Sequence, residues 1–392
     1  MMERTILAHR ASFEVSLRII ISGYYGYGNT GDEAILASLG QALGGVGRDL
    51  VVLSAAPERT RREHGLRAIG RYDLFRLIRE LLGASLFVSG GGGLLQDVTG
   101  PFSISYYLGL MKLAQFLRVP TMLLGQGLGP VKRPLNRRLI ASTVQKADLA
   151  AVRDPASAKF LASLGVPEEK IMLTADPVLG MKPASSKRVN EIAESLGLEE
   201  GRPIIAVAIR PWYTWYERQF KAFTSVLSQL ACRFDAQLLL LPFHYPGDLR
   251  ITQELLSCLE LRPSAKIPRV AMLDYLISPG EMAGLIGTAD LVIGMRLHSL
   301  IMAASRGVPA VGIAYDPKVL AFAEQFDFPV IESVQSLEEA ETTAALIEDA
   351  WLRRGEIHRT LAAALPHWQE QALLNTRFAL GLAEAQASRK KK

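Results

Sequence analysis

The chain has 392 residues, of which 49% are hydrophobic, enough for a large core and longer than one core usually serves, so two domains are expected. Its formal charge of +5 includes the four positives of Arg389-Lys390-Lys391-Lys392, so the body is close to neutral and a whole-molecule nucleic-acid function is not expected. No apolar run approaches the roughly 20 residues that cross a bilayer, and the short one over 17–21 lacks the length and cleavage site of a secretion signal, which points to a cytoplasmic protein.

Residues 1–16 show no period and read as an N-terminal extension. The run 17–22 reads as a buried strand ending in Gly23-Tyr24-Tyr25-Gly26-Tyr27-Gly28-Asn29-Thr30-Gly31-Asp32-Glu33, after which Ala34, Ile35, Leu36, Leu39 and Leu43 fall at helical spacing. This Gly-rich turn lacks the Lys-Ser/Thr of a P-loop and the dinucleotide pattern. Its glycines let a ligand approach backbone, and Asn29, Thr30 or Asp32 can cap the helix. Further strands are expected at 50–53 and 84–89, with a helix over 73–82 between them. Gly90-Gly91-Gly92-Gly93 follows at a strand end, then a helix over 103–117, a strand over 121–124 and another Gly-rich turn, Gly125-Gln126-Gly127-Leu128-Gly129. Such turns at successive strand ends line one edge of a parallel sheet, where ligands bind in α/β folds. A helix over 135–147 leads to the strand 149–152 and to Arg153, whose planar fork suits a carboxylate or phosphate. A short apolar segment, 171–173, precedes Ala175-Asp176-Pro177, and the Pro-, Ser- and Lys-bearing stretch 182–188 reads as a linker.

The alternation then repeats. Strand 204–209 ends at Arg210, strand 237–241 ends near His244, and a helix over 217–234 lies between them. A helix over 279–287 leads to Leu291-Val292-Ile293-Gly294-Met295-Arg296-Leu297-His298-Ser299, then a helix through Ser305, a strand over 309–313 and Lys318. Arg296, His298, Ser299 and Lys318 thus offer cations, an acid/base and a hydroxyl at strand ends, where helix N-termini also attract anions. A helix to Phe326, an acidic helix over 337–354 and an amphipathic segment over 358–387 complete the chain. Cys232 and Cys258 lack metal-type spacing and are expected as buried, reduced thiols. The expected organisation is an extension (1–16), two Rossmann-like domains (17–182 and 189–355) facing a cleft, and a C-terminal helix with basic tail (356–392).

Five motifs, Gly23 to Glu33, Ser89-Gly90-Gly91-Gly92, Gly125-Gln126-Gly127, Arg153-Asp154 and Gly294 to Ser299, occur in the order seen in the polysaccharide pyruvyl transferase family, which the chain resembles over about 19–326. The match looks closest to the CsaB type, which modifies a secondary cell-wall polymer. The resemblance implies an α/β architecture similar to GT-B glycosyltransferases, with phosphoenolpyruvate as donor substrate and no cofactor. It implies transfer of pyruvate as a 4,6-linked ketal onto a sugar, in the CsaB type N-acetylmannosamine of a lipid-linked oligosaccharide precursor. By motif, Arg153, His298 and Lys318 match positions the family uses for donor binding and catalysis, and Asn29 and Asp32 match its first Gly-rich loop.

The residue types suit that chemistry. An unperturbed pKa near about 6.5 lets His298 both give and take a proton, with Asp32 an alternative base. Arg153, Arg296 and Lys318 can hold carboxylate and phosphate. Thr30, Gly31, Gly91, Gly92, Gln126, Arg210, His244 and Ser299 complete the expected substrate-binding set. No carboxylate–His cluster has ligand spacing, so no metal is expected. The basic tail reads as a frayed solvated end or, alternatively, as a peripheral contact with the inner membrane face, and lies outside the resemblance. The residues leave two alternatives open: a GT-B-type glycosyltransferase using a nucleotide sugar, and a non-catalytic glycolipid- or anion-binding module.

Overall fold

A computed structural model describes residues 17–97, 103–213, 215, 217–261 and 267–390; the expected extension over 1–16 and Lys391 and Lys392 of the tail lie outside the described residues. The chain forms two compact units, one made of Met1–Gly23, Leu39–Leu173 and Leu374–Lys392, the other of Tyr24–Ser38 and Thr174–Leu373.

The first unit carries a seven-stranded parallel sheet: β1 (Leu17–Ser22), β2 (Arg48–Ser54), β3 (Arg67–Gly70), β4 (Leu86–Ser89), β5 (Thr121–Gln126), β6 (Leu149–Val152) and β7 (Ile171–Leu173), in the order β3-β2-β1-β4-β5-β6-β7. Its central strands are continuous apolar runs because helices cover both faces. Ile19, Ile20 and Ile21 are fully buried, with Ile20 paired to Val51 on one side and Phe87 on the other. The chain winds outward from β1 to β3 and returns to β4 beside β1, so the carboxyl ends of β1 and β4 diverge at the place where such sheets bind ligands.

The second unit has six parallel strands: β8 (Ile204–Ala208), β9 (Gln237–Leu240), β10 (Val270–Met272), β11 (Leu291–Gly294), β12 (Ala310–Ile313) and β13 (Val330–Ile331), in the order β10-β9-β8-β11-β12-β13. The helix Glu217–Arg233 drives Phe223, Val226, Leu227 and Leu230 against Ile205, Val207, Leu238 and Leu240 of this sheet. The switch point lies between β8 and β11, where the strand order reverses.

The two parallel α/β sheets agree with the fold expected from sequence. The strands not anticipated, β3, β10 and β13, and β7, read only as a short apolar segment, all stand at sheet edges and have two to four residues. Edge strands are short and half-buried, so their apolar signal is weak. The stretch 182–188 lies inside the second unit, where Ala184 N donates to Gly280 O at 2.8 Å and Ser185 caps the helix Ser186–Ser195. Cys232 is exposed, against expectation, because it falls just outside the buried stripe of its helix that ends in Leu230 and Ala231; Cys258 is half-buried.

Candidate functional site

In the second unit the first Gly-rich loop is built into the sheet's carboxyl edge. Gly26 and Gly28 take positive φ values of 84° and 75°, a conformation that only glycine adopts cheaply. They present the backbone to the loop that follows β9: Tyr245 N donates to Gly28 O at 2.8 Å, Thr30 N donates to Phe243 O at 2.7 Å, and Asn29 forms an antiparallel bridge with His244. The helix Thr30–Leu43 starts there, with Asn29 Oδ1 accepting from Gly31 N at 3.2 Å. Glu33 reaches back from its first turn, Oε1 accepting from Gly26 N at 2.8 Å, and closes the loop. Asp32 lies in the same turn, nearly buried, where carboxylates are favoured by the helix dipole.

His298 stands in the first turn of the helix Leu297–Ser305, after β11. Its ring is seated against the start of the Thr30–Leu43 helix so closely that a Cβ on Gly31 would lie 2.2 Å from Nδ1. Across the ring, Nε2 is 3.8 Å from Oδ2 of Asp176, a buried carboxylate whose Oδ1 accepts from Val178 N at 3.0 Å. Asp176 is therefore fixed by its own turn and placed within ion-pair reach of the imidazole.

Arg296 and Ser299 have inward commitments. The Arg296 guanidinium grips the fully buried Asp248 with two hydrogen bonds, Nε to Oδ2 at 2.9 Å and Nη2 to Oδ1. Asp248 Oδ2 also accepts from the backbone N–H of His244 at 2.9 Å and Phe243 at 3.2 Å, so one carboxylate ties the β11 and β9 loops together. Ser299 is fully buried and donates to Arg296 O at 2.6 Å. Its Oγ would lie 2.4 Å from a Cβ on Gly294, which explains the glycine there.

The half-buried His244 has its pKa pushed below the usual range, first by burial and then by the positive charge of Arg296, with Asp248 opposing. It is therefore neutral near neutral pH. Arg210 follows β8; Nη1 donates to Tyr315 Oη at 3.0 Å, and the guanidinium lies 4.7 Å from the Tyr315 ring centre and 5.5 Å from that of Trp212. Lys318 is partly exposed in the first turn of the helix Pro317–Gln325, with its backbone N–H on the Asp316 cap at 2.9 Å. Arg210, His244, Arg296, His298 and Lys318 therefore follow β8, β9, β11 and β12 on one edge, and residues 29–32 join them through the His244 bridge and the His298 contact.

Gly91, Gly92, Gln126 and Arg153 belong to the first unit. There the two Gly-rich turns are stitched together: Gly127 N donates to Gly92 O at 2.9 Å, and the buried Gln126 side chain donates to Ser89 Oγ at 2.8 Å and Gly90 O at 2.9 Å. The Gln126 amide nitrogen is thus spent on holding the turns. Arg153 is buried, and a Cβ on Gly127 would lie 2.6 Å from its Nε, so that glycine leaves room for the guanidinium.

Asp176 and Asp248 carry no signal as site residues in the sequence. Asp176 precedes Pro177 and Asp248 precedes a helix, so both read as caps, and the partners that give them a second role are 122 and 48 residues away. The second-unit arrangement supplies an imidazole backed by a carboxylate, cations at neighbouring strand ends and a helix N-terminus, which together suit proton transfer next to an anion.

Residues 29–317 match the family model described as polysaccharide pyruvyl transferase. No curated protein matches the chain in sequence. Among solved structures, HepE of Anabaena in complex with UDP-glucose aligns with 14% identity and a TM-score of 0.60, over 95% of this chain and 100% of that one. A glycosyltransferase from Rickettsia africae aligns with 11% identity and a TM-score of 0.58, over 95% and 98%. UDP-GlcNAc 2-epimerase from Neisseria meningitidis, bound to UDP-GlcNAc, aligns with 12% identity and a TM-score of 0.60, over 93% and 99%. At such identities the likeness is one of fold, the GT-B-like fold expected from the sequence.

Proposed function

The chain belongs to the polysaccharide pyruvyl transferase family, and from that premise we propose that it transfers pyruvate from phosphoenolpyruvate onto a sugar as a 4,6-linked ketal, releasing phosphate. The sugar is N-acetylmannosamine of a lipid-linked precursor of a secondary cell-wall polymer, as the resemblance to the CsaB type implies, and the reaction takes place on the cytoplasmic side. The observation that carries this reading is His298, seated between Gly31 and Asp176 beside the strand ends that bear Arg210 and Lys318.

Protonated His298 gives its proton to the methylene carbon of the donor, which becomes the methyl group and leaves C2 electron-poor. One sugar hydroxyl adds to C2 and its proton passes to the now neutral imidazole, or to Asp32. The C2–O bond to phosphate breaks and phosphate departs with its electron pair. A second hydroxyl then closes the ketal at C2 and gives up its proton. Asp176 faces the ring from the side opposite Gly31 and helps to position it for the first step. Lys318 and Arg210 hold the donor's anionic groups and the charge that grows on phosphate, and Arg153 has the same part by the family pattern. Asn29, Thr30, Gly31, Gly91 and Gly92 offer backbone to the substrates. Arg296, held by Asp248, keeps the loops in place rather than gripping substrate.

Phosphate release on mixing the protein with phosphoenolpyruvate and an N-acetylmannosamine-terminated acceptor bearing a lipid-like aglycone tests the reading, with mass spectrometry of the sugar. The expected product carries a pyruvate ketal, and His298→Ala lowers turnover by about 10²-fold or more with the fold intact. Release of a nucleotide from a sugar nucleotide, with no phosphate from phosphoenolpyruvate, would establish a glycosyltransferase instead. Binding without any product would make the protein a glycolipid- or anion-binding module.

A further inference from the structure

The helix Leu74–Gly83 of the first unit is apolar on two opposite faces. Leu77 and Leu81 form the inner stripe and are buried. On the outer side Phe75 and Leu82, seven residues apart and so nearly in line, are 81% and 67% exposed, with Arg79 between them. Tyr72 and Leu74, where the helix begins, are 76% and 56% exposed. Single exposed apolar residues are ordinary, but four large ones on one short segment mark an interaction surface.

The acidic groups of this segment are engaged by partners. Glu80 is drawn inward onto Arg18 and Arg67, at 3.1 and 2.8 Å. Asp73 is occupied as the helix cap and by Arg76 at 3.2 Å. The exposed Arg79 therefore borders the apolar stripe, and Arg71 lies 4.3 Å from the ring centre of Tyr106 at its start. At the other end Lys390 Nζ donates to the carbonyl of Ala84, the C-cap of this helix, at 2.8 Å. That bond seats Lys390, and with it the neighbouring Arg389, at the end of the same stripe.

We propose that this face docks on the surface of an anionic phospholipid bilayer, with Phe75 and Leu82 entering the headgroup–acyl boundary and Arg79, Arg389 and Lys390 towards the headgroups. A helix with an apolar stripe flanked by Arg and Lys is the form that lies in a membrane interface. A second copy of the face would set Arg79, Arg389 and Lys390 of two chains against each other, so charge argues for lipid over self-association. The proposal goes beyond the transfer reaction, and its readout does not depend on it.

The test is co-sedimentation of the full chain with phosphatidylcholine vesicles, with and without phosphatidylglycerol, at low and high salt. The chain is expected to sediment with the anionic vesicles and to be released by salt. Phe75→Ser with Leu82→Ser should abolish sedimentation. Arg79→Gln should weaken it about fivefold, and neutralising the basic run should weaken it further, all with the circular dichroism unchanged. Absence of binding to anionic vesicles, or unchanged binding by the serine double variant, overturns the proposal. So does a dimer in light scattering that the double variant dissolves without any vesicle binding.

Discussion

At position 31 the space normally filled by a Cβ holds the edge of the His298 ring, and the backbone φ there lies outside the left-handed region. Glycine is needed for room rather than for conformation. Gly31→Ala is therefore expected to leave the helix in place, to cost about 1–3 kcal/mol of stability by overpacking and to push the imidazole aside, and a displacement of about 1 Å at a reacting group costs on the order of 10²-fold in turnover. Steady-state kinetics beside a thermal melt separates the two effects. His244 gives a second expectation. Its folded pKa lies below the usual value of about 6.5, so between those two values the unfolded chain binds more protons than the folded one. Stability should fall as pH drops through that window and level off below the folded pKa, and His244→Gln should flatten this part of a denaturation-versus-pH curve. The residue types that suggested a site, Arg296, Ser299 and Gln126 among them, were legible in the sequence, but their hydrogen-bond partners were not. Arg296 reads as a cation for a ligand until its fork is seen closed on Asp248, 48 residues away, and local sequence carries no trace of a pairing made by tertiary contact.

Asp248 also acts on the element scale, because the β9 loop, the β11 loop and the first Gly-rich loop are held in series through it. Asp248→Ala leaves the Arg296 charge largely buried without its partner, a change that typically costs about 3–5 kcal/mol. Chemical denaturation should register that loss. Hydrogen exchange should quicken at the Thr30 and Tyr245 amides, which bond across the two loops, before it does in β8 and β11. Elements were readable where apolar period and length agreed. β6 and β8 are uninterrupted Leu, Ile, Val and Ala runs, β1 and β5 carry the buried apolar runs 19–21 and 122–124, and the helices beginning at Pro279 and Pro317 announce their first turns with a cap before the proline. β3, β10 and β13 escaped because an edge strand shares its pairing with one neighbour and buries too little to impose a pattern.

For the whole molecule, repetition of Gly-rich turns at strand ends revealed a parallel α/β architecture, since only a parallel sheet gathers those ends on one edge. How the chain is divided was not legible, because no composition shift marks the places where it passes from one compact unit to the other. Those places fall after Gly23, Ser38, Leu173 and Leu373, so the units are interleaved along the polypeptide. A ribosome that has reached Leu173 has made most of one unit without its last helical segment, and has already made fifteen residues of the other. Neither unit can be cut out as a continuous piece of chain. A fragment ending at Leu173 is expected to be insoluble or molten, with weak near-ultraviolet circular dichroism, and co-expression with a fragment starting at Thr174 should restore solubility where mixing the separately refolded pieces does not.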